Sequence, residues 1–216
     1  GLKDLSISRT TFNWGIPVPD NDKHVMYVWI DALCNYLTSI DFSNNNSSKF
    51  KKYWPALHVV GKDILRFHAV YWPAFLMAAN IEPPKQIFAH GWWTNDGQKI
   101  SKSLGNVIDP YKIISEFGLD QFRFYLFRDV PFGNDGDFSI KAFSNRINAD
   151  LSNNLGNLVQ RVTAFIEKNS EKKVKNNFNL KKEDKDILVL SEKKLKNYIK
   201  YMSNLELDKS LKEIFD

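Results

Sequence analysis

A single cysteine, Cys34, occurs among the 216 residues, which excludes an internal disulfide framework and any cysteine-clustered zinc site. Its plain implication is a reducing, cytoplasmic setting. No apolar run reaches the roughly 18–20 residues that a membrane span requires, so no membrane is expected among the partners. No internal repeat is visible, Gly1 is not a natural start, and nothing at the N-terminus reads as a signal peptide. Charge of one sign is also scarce at first: residues 1–150 hold 16 Lys/Arg against 15 Asp/Glu. What is plentiful is apolar and aromatic, 43% and 14%, enough for one large domain or two small ones with packed cores. Residues 151–216 carry most of the net charge of +5, with 14 Lys/Arg against 10 Asp/Glu. Such an excess suits a polyanionic partner, and equally a solvated helical surface.

Periodicity divides the chain. Met26–Ile30 is apolar and β-prone, with Asp31 placed to cap a helix running to about Leu37. Asn44–Ser48 reads as a polar loop. Leu57–Val60, ending at Gly61, predicts a short buried strand, and Gln86–His90 another. Between them a helix is expected from Asp63, as cap, to Ala79, with Pro73 straining its middle. Strand–helix–strand order favours a parallel, doubly wound α/β sheet, of which one nucleotide-binding half is visible. From Ile140 to Asn169, Phe143, Ile147, Leu151, Leu155, Leu158, Val162 and Phe165 recur every three or four positions, a helix stripe. A polar linker at 170–179 and a second helical pattern, Glu183–Tyr201, follow.

The strongest local signal is Lys99-Ile100-Ser101-Lys102-Ser103-Leu104-Gly105-Asn106. It follows Asn95-Asp96-Gly97, whose Asp-Gly pair suits a reversal with positive φ. Nucleotidyl transfer needs positive charge where the transition state gathers negative charge, and a mobile loop can deliver it once ATP is bound. Ordinary solvated surface lysines are the bland alternative.

This loop resembles the Lys-Met-Ser-Lys-Ser signature of class I aminoacyl-tRNA synthetases, with Ile100 in place of Met. The resemblance implies that Lys102 stabilises the α-phosphate during attack on ATP and that Lys99 holds the departing pyrophosphate, with Ser101 and Ser103 also at the nucleotide. The run Ser103–Pro110 is shared with valyl- and isoleucyl-type enzymes, so the loop names the class and not the amino acid. Tyr27-Val28-Trp29-Ile30-Asp31-Ala32 and Gly61-Lys62-Asp63-Ile64 with Phe67-His68 and Trp72-Pro73-Ala74 are similar to methionyl-tRNA synthetases in content and order. A thioether suits a pocket of aromatic rings with few polar groups. Trp29, Phe67 and Ala32 are then the expected walls for L-methionine, with Tyr36 and His68 as a polar touch near the sulfur. Asp63 would serve the nucleotide or the substrate amine, and His90-Gly91 would lie under the adenine. Arg9 matches a family arginine, whereas Leu33 departs from a Pro seen in some members. Each of these aromatics and His68 has a bland reading as a core residue.

Asn157 and Arg161, four apart on one helix face, match a family pair that reads anticodon bases of tRNA(Met), a use for multidentate hydrogen bonding. The resemblance thus implies ATP with Mg2+, methionine and tRNA(Met) as ligands. It implies the second half of a Rossmann-like doubly wound sheet, with the lysine loop, over 1–110. A connecting helical segment, 111–145, and the start of an all-α anticodon-binding bundle, 146–216, come next. No metal ligands are expected within the chain. His24, His58, His68 and His90 form no His-x-Gly-His element, and the family's cysteine-rich zinc insertion is absent. Both belong upstream of residue 1, so the chain is expected to be a fragment that is inactive alone. The competing expectations are a noncatalytic tRNA-binding fragment or paralogue, and a valyl- or isoleucyl-type enzyme.

Overall fold

The computed structural model describes residues 3–42, 47–170, 173–174 and 179–215, with the backbone alone at Lys102. They form two units, residues 1–89 and 90–216, and the architecture is mixed α/β with a helical C-terminal portion.

In the first unit β1 (Ser8–Arg9) and β2 (Pro17–Val18) flank β3 (Asn21–Met26) in an antiparallel sheet. Helix α1 (Val28–Thr38) then begins inside the segment whose composition suggested a strand. Asp31 lies in its first turn rather than at its cap; the cap position is Tyr27, with no side-chain bond. There the carboxylate still faces the positive end of the helix dipole. Tertiary contact overrides β propensity here. Leu33 and Leu37 bury themselves with Trp54, Trp72 and Leu76 in one core, against which Tyr36 and Ile40 also pack; intervals of three and four share a face in a helix, whereas a strand would send Leu33 and Tyr36 to opposite faces.

Helix α2 (Ser48–Tyr53) is capped by Ser47, whose hydroxyl accepts from the Phe50 amide at 3.0 Å; Asn44, Asn45 and Asn46 of the expected loop lie outside the described residues. Strand β4 (Leu57–Gly61) pairs with β5 (Gln86–His90), both as expected. Their connection is not the single α-helix the pattern suggested. Asp63 sits in a 3-10 turn, Lys62–Ile64, and caps nothing through its side chain. A π-helical turn, Phe67–Tyr71, follows, and only then α3 (Trp72–Ala78), with Pro73 in its first turn. Proline has no N–H to give an α-helical carbonyl and clashes with it. The wider turn absorbs that defect, the Trp72 amide donating to the Phe67 carbonyl five residues back.

The second unit opens with a hairpin of β6 (Trp93–Asn95) and β7 (Gln98–Lys99), with β8 (Gly136–Phe138) parallel to β6. Helices α4 (Pro110–Phe117) and α5 (Leu119–Arg128) lie between. Ile113, Tyr125, Phe138 and Phe143 form its core. From Ile140 the chain is helical to Asn169: α6 (Ile140–Arg146), a π-helical stretch Ile147–Gly156, and α7 (Asn157–Asn169). The expected stripe is present, but burial follows it only partway. Phe143 is fully buried, whereas Leu155, Leu158, Val162 and Phe165 are exposed. Arg128 pairs with Asp150 at 3.2 Å and Arg146 with Asp129 at 3.2 Å, tying α5 to this helical run. Helices α8 (Lys182–Ser203) and α9 (Leu207–Phe215) pack on each other. Most of the linker at 170–179 lies outside the described residues. Among the described residues no helix is long and apolar enough to cross a membrane.

Candidate functional site

Helix α1 carries Trp29, Ala32 and Tyr36 at intervals of three and four, so they share a stripe. The π-helical turn after β4 brings Phe67 and His68 to that stripe. Trp29 stacks on Phe67 with ring centroids 4.0 Å apart and planes within 9°, and meets His68 edge-on at 6.0 Å. Tyr36 is edge-on to His68 at 5.7 Å. Four of the five expected methionine-site residues therefore form one aromatic cluster. Ala32, between Trp29 and Tyr36 along the stripe, is exposed.

The polar atoms of this cluster are ordered by donor chemistry. His68 is only 2% exposed, and its Nδ1 lies 2.9 Å from the Ile64 carbonyl, which can only accept. Nδ1 thus carries the proton, and in the neutral ring Nε2 accepts from the Tyr36 hydroxyl at 2.9 Å. With both nitrogens engaged, His68 acts on the cluster by aiming the half-buried Tyr36 phenol, whose oxygen can still accept a further bond. Burial pushes the Tyr36 hydroxyl above its ordinary pKa, so it remains a donor.

Sequence reasoning missed His58. It leaves β4 inward, buried, with its ring 4.3 Å from Tyr36 and 6.1 Å from His68. The Trp72 indole N–H donates to its Nε2 at 3.1 Å, which fixes the ring as neutral. Burial, and then the His68 ring, hold its pKa below the ordinary 6.5. The available signal was the alternation within β4, where His58 and Val60 point inward between Leu57 and Val59.

Asp63 is exposed on its 3-10 turn. Arg9 lies 3.9 Å over the Tyr27 ring and donates to the Ser6 and Ser8 carbonyls at 2.8 Å. It lines a cleft of about 780 Å³ with Phe12, Trp14, Met26, Val28 and Asp31. The segment Phe12–Ile16 was not singled out as cavity-lining, because its aromatic side chains carry no periodicity.

In the second unit, His90 Nδ1 donates to the Gly91 carbonyl at 2.9 Å, and its ring stacks on Phe132. A cavity of about 220 Å³ opens beside His90, Gly91, Trp93, Leu126, Phe132 and Asn134. Gly91 is buried, and a Cβ built on it would stand 2.1 Å from the Asn134 carbonyl oxygen, so any larger residue must displace backbone. The Asp135 carboxylate accepts from the Trp92 amide at 2.8 Å.

The lysine loop leaves the β6–β7 hairpin. Asp96 and Gly97 have φ of 49° and 74°, the positive pair the Asp-Gly turn predicted. Asp137 on β8 grips this turn, accepting from the Thr94 hydroxyl and from the Gly97 amide at 2.8 Å. The Thr94 bond, then the Gly97 bond, hold its carboxyl below the usual carboxylate pKa. Lys99 ends β7 and reaches within 5.9 Å of the Trp92 ring, and Ser101 and Ser103 share a hydroxyl–hydroxyl bond of 2.7 Å. Lys102 opens a 3-10 turn, Lys102–Leu104; its side chain lies outside what is described. Asn157 and Arg161 both fall on α7, the first half-buried and the second exposed. Among the described residues no group of three His, Cys, Asp or Glu could hold a metal ion.

Known proteins agree on one lineage. The family described as tRNA synthetases class I (M) matches residues 1–163. The methionine–tRNA ligase of Rickettsia conorii is 65% identical over 175 residues, covering 81% of this chain and 34% of that protein. Its counterpart in Rickettsia typhi is 54% identical over 220 aligned positions, covering all of this chain and 43% of that one. A Mycobacterium tuberculosis methionyl-tRNA synthetase structure in complex with methionyl-adenylate superposes with a TM-score of 0.89 at 49% identity, covering 100% of this chain and 42% of its own. The chain thus spans well under half the length of the relatives it matches.

Proposed function

The chain belongs to the methionine-type class I tRNA synthetases, and from that premise we propose that it serves a methionine–tRNA ligase, which activates methionine with ATP and transfers it to tRNA(Met). The observation that carries this reading is the pairing of an aromatic cluster, Trp29–Phe67–Tyr36–His68, with an intact Lys99-Ile100-Ser101-Lys102-Ser103 loop. The cluster offers flat apolar surface for a thioether and one aimed hydroxyl for selectivity. The loop offers two cations for a transition state that gathers negative charge.

In this reading methionine lies against Trp29, Ala32 and Phe67, with Tyr36, aimed by His68, near the sulfur. Asp63 serves the nucleotide or the substrate amine. The adenine rests over His90-Gly91, whose backbone is set by the close approach of Asn134. Lys102 stabilises the α-phosphate as the methionine carboxylate attacks, Lys99 holds the leaving pyrophosphate, and Ser101 and Ser103 bind phosphate oxygens. Mg2+ bound to the ATP phosphates would supply charge neutralisation beside Lys99 and Lys102. Asn157 and Arg161 read anticodon bases, and the work takes place in the cytoplasm, as the lone Cys34 favours. Residues 1–110 act as the Rossmann-like catalytic portion, 111–145 as a connection, and 146–216 as the start of the anticodon-binding helices.

Methionine-dependent exchange of pyrophosphate into ATP by the complete gene product tests the reading. Lys102→Ala should slow exchange about a hundredfold while methionine binding persists, because the contact acts chiefly in the transition state. Exchange driven by valine or isoleucine instead, or by no amino acid, would overturn it.

A further inference from the structure

The loop that bears the two lysines is closed on itself by a side chain to which no role has yet been given. Asn106 stands at its far end, half-buried. Its amide oxygen accepts from the Ser101 N–H at 2.8 Å, and its amide nitrogen donates to the Lys99 carbonyl at 3.0 Å. The orientation of the amide follows from these partners, since the reverse would set oxygen against oxygen and N–H against N–H. The Asn106 carbonyl in turn accepts from the Asn95 side chain at 2.8 Å. Residues 95, 99, 101 and 106 are thereby bound together, with Lys102 inside the closed ring.

The base of this ring is also fixed. Asp137 grips Thr94 and Gly97, and the Asp96 amide donates to the Phe138 carbonyl at 3.0 Å. Strand β8 therefore holds the hairpin, and Asn106 holds the loop on the hairpin. Within the ring the Leu104 amide bonds to the Ser101 carbonyl at 3.2 Å. Gly105 has φ of 64° with open space around its α-carbon, so it serves the reversal rather than packing.

We propose that Asn106 is a positioning residue for the lysine loop: it ties the Lys99 carbonyl to the amide of Ser101, the residue next to Lys102, so that the two ammonium groups reach the triphosphate together. A loop without this latch must order itself at each turnover, and that cost falls on the chemical step rather than on methionine binding. Among the described side chains of the loop, Asn106 is the one that bonds both the Lys99 carbonyl and the Ser101 amide. Ser101 and Ser103 bond to each other, and the Asn95 side chain donates to the Asn106 carbonyl. Asp in place of Asn106 keeps the acceptor for Ser101 but loses the donor to Lys99.

The inference rests on the proposed ligase activity for one arm of its test and not for the other. In the complete gene product, Asn106→Ala should lower kcat of methionine-dependent pyrophosphate exchange about thirtyfold, as expected for two lost hydrogen bonds. Asn106→Asp should fall between this variant and the parent, and the methionine KM should be unchanged in both. The second arm is limited trypsin digestion followed by mass spectrometry. Cleavage after Lys99 and Lys102 should be several-fold faster in Asn106→Ala, with cleavage at other lysines unaltered. A parent without methionine-dependent exchange would sink the ligase reading, and the digestion would still decide the latch. Unchanged kcat, a joint loss of kcat and methionine affinity, or unaltered cleavage at Lys99 and Lys102 would each overturn the inference.

Discussion

The Tyr36 hydroxyl donates to Nε2 of His68 across 2.9 Å, and the Ile64 carbonyl on the other side of the imidazole dictates that direction. Tyr36→Phe would leave a buried acceptor without a partner, which costs about 1–3 kcal/mol. Urea denaturation should register that loss. If the phenol also faces the thioether, the methionine KM should rise several-fold with kcat retained. A lowered stability with an unchanged KM would make the pair a core feature only.

His58 couples the same cluster to pH. Its folded pKa lies below the ordinary 6.5 because burial, and then the His68 ring, disfavour the cation. Below pH 6.5 the unfolded chain takes up a proton that the folded chain refuses, so stability falls as pH drops from that value toward the folded pKa. His58→Gln, which can still accept from Trp72, should flatten this part of the curve. Denaturation midpoints measured between about pH 7.5 and 5.5 supply the check; equal slopes in both proteins would exclude His58 as the source.

Gly91 is held at its identity by backbone, not by a side chain that could move aside. A Cβ there would lie 2.1 Å from the Asn134 oxygen, and relief requires shifting the segment before β8. Gly91→Ala should therefore cost about 1–3 kcal/mol and raise the ATP KM more than the methionine KM. Calorimetry and separate substrate titrations measure the two effects. An unaltered thermal midpoint would show that the segment yields freely.

Arg161 is exposed on α7, one turn from Asn157. A guanidinium reading a base edge discriminates among anticodons, whereas lysine charge attracts any RNA. In the complete gene product, Arg161→Ala should weaken binding of the methionine tRNA about tenfold more than that of a tRNA with another anticodon. Replacing Lys181 and Lys182 should weaken both alike and flatten the salt dependence. Equal loss for both tRNAs in Arg161→Ala would mark Arg161 as a phosphate anchor.

Much of this protein was legible from residue order alone, wherever the controlling forces are local. The Asp96-Gly97 reversal was readable because positive φ is tolerated by few residues. Strands β4 and β5 and the helical run from Ile140 were readable because apolar spacing reports the period of the backbone. The lysine loop was readable as chemistry because its two lysines and two serines fall within five successive residues.

Where the outcome depended on partners distant in the chain, the tertiary structure decided. Val28-Trp29-Ile30 is β-prone by composition, yet helical, because a helix brings Trp29 to Phe67 and puts Leu33, Tyr36 and Leu37 together on the Trp72 core, which a strand would split between two faces. His58 joined the aromatic cluster because β4 turns it inward beneath the Trp72 indole. Asp63 stands within a separate 3-10 turn rather than at a helix cap, and a π-helical turn appeared before Pro73, where the missing proline N–H had to be accommodated within a packed connection. Asn106, one polar residue among many in the sequence, became the closure of the lysine loop only when folding brought Lys99 and Ser101 within hydrogen-bond reach. Local conformational preference is carried by each residue and its neighbours. Partner choice is set by which surfaces the whole fold brings together, and a one-dimensional pattern does not contain those distances.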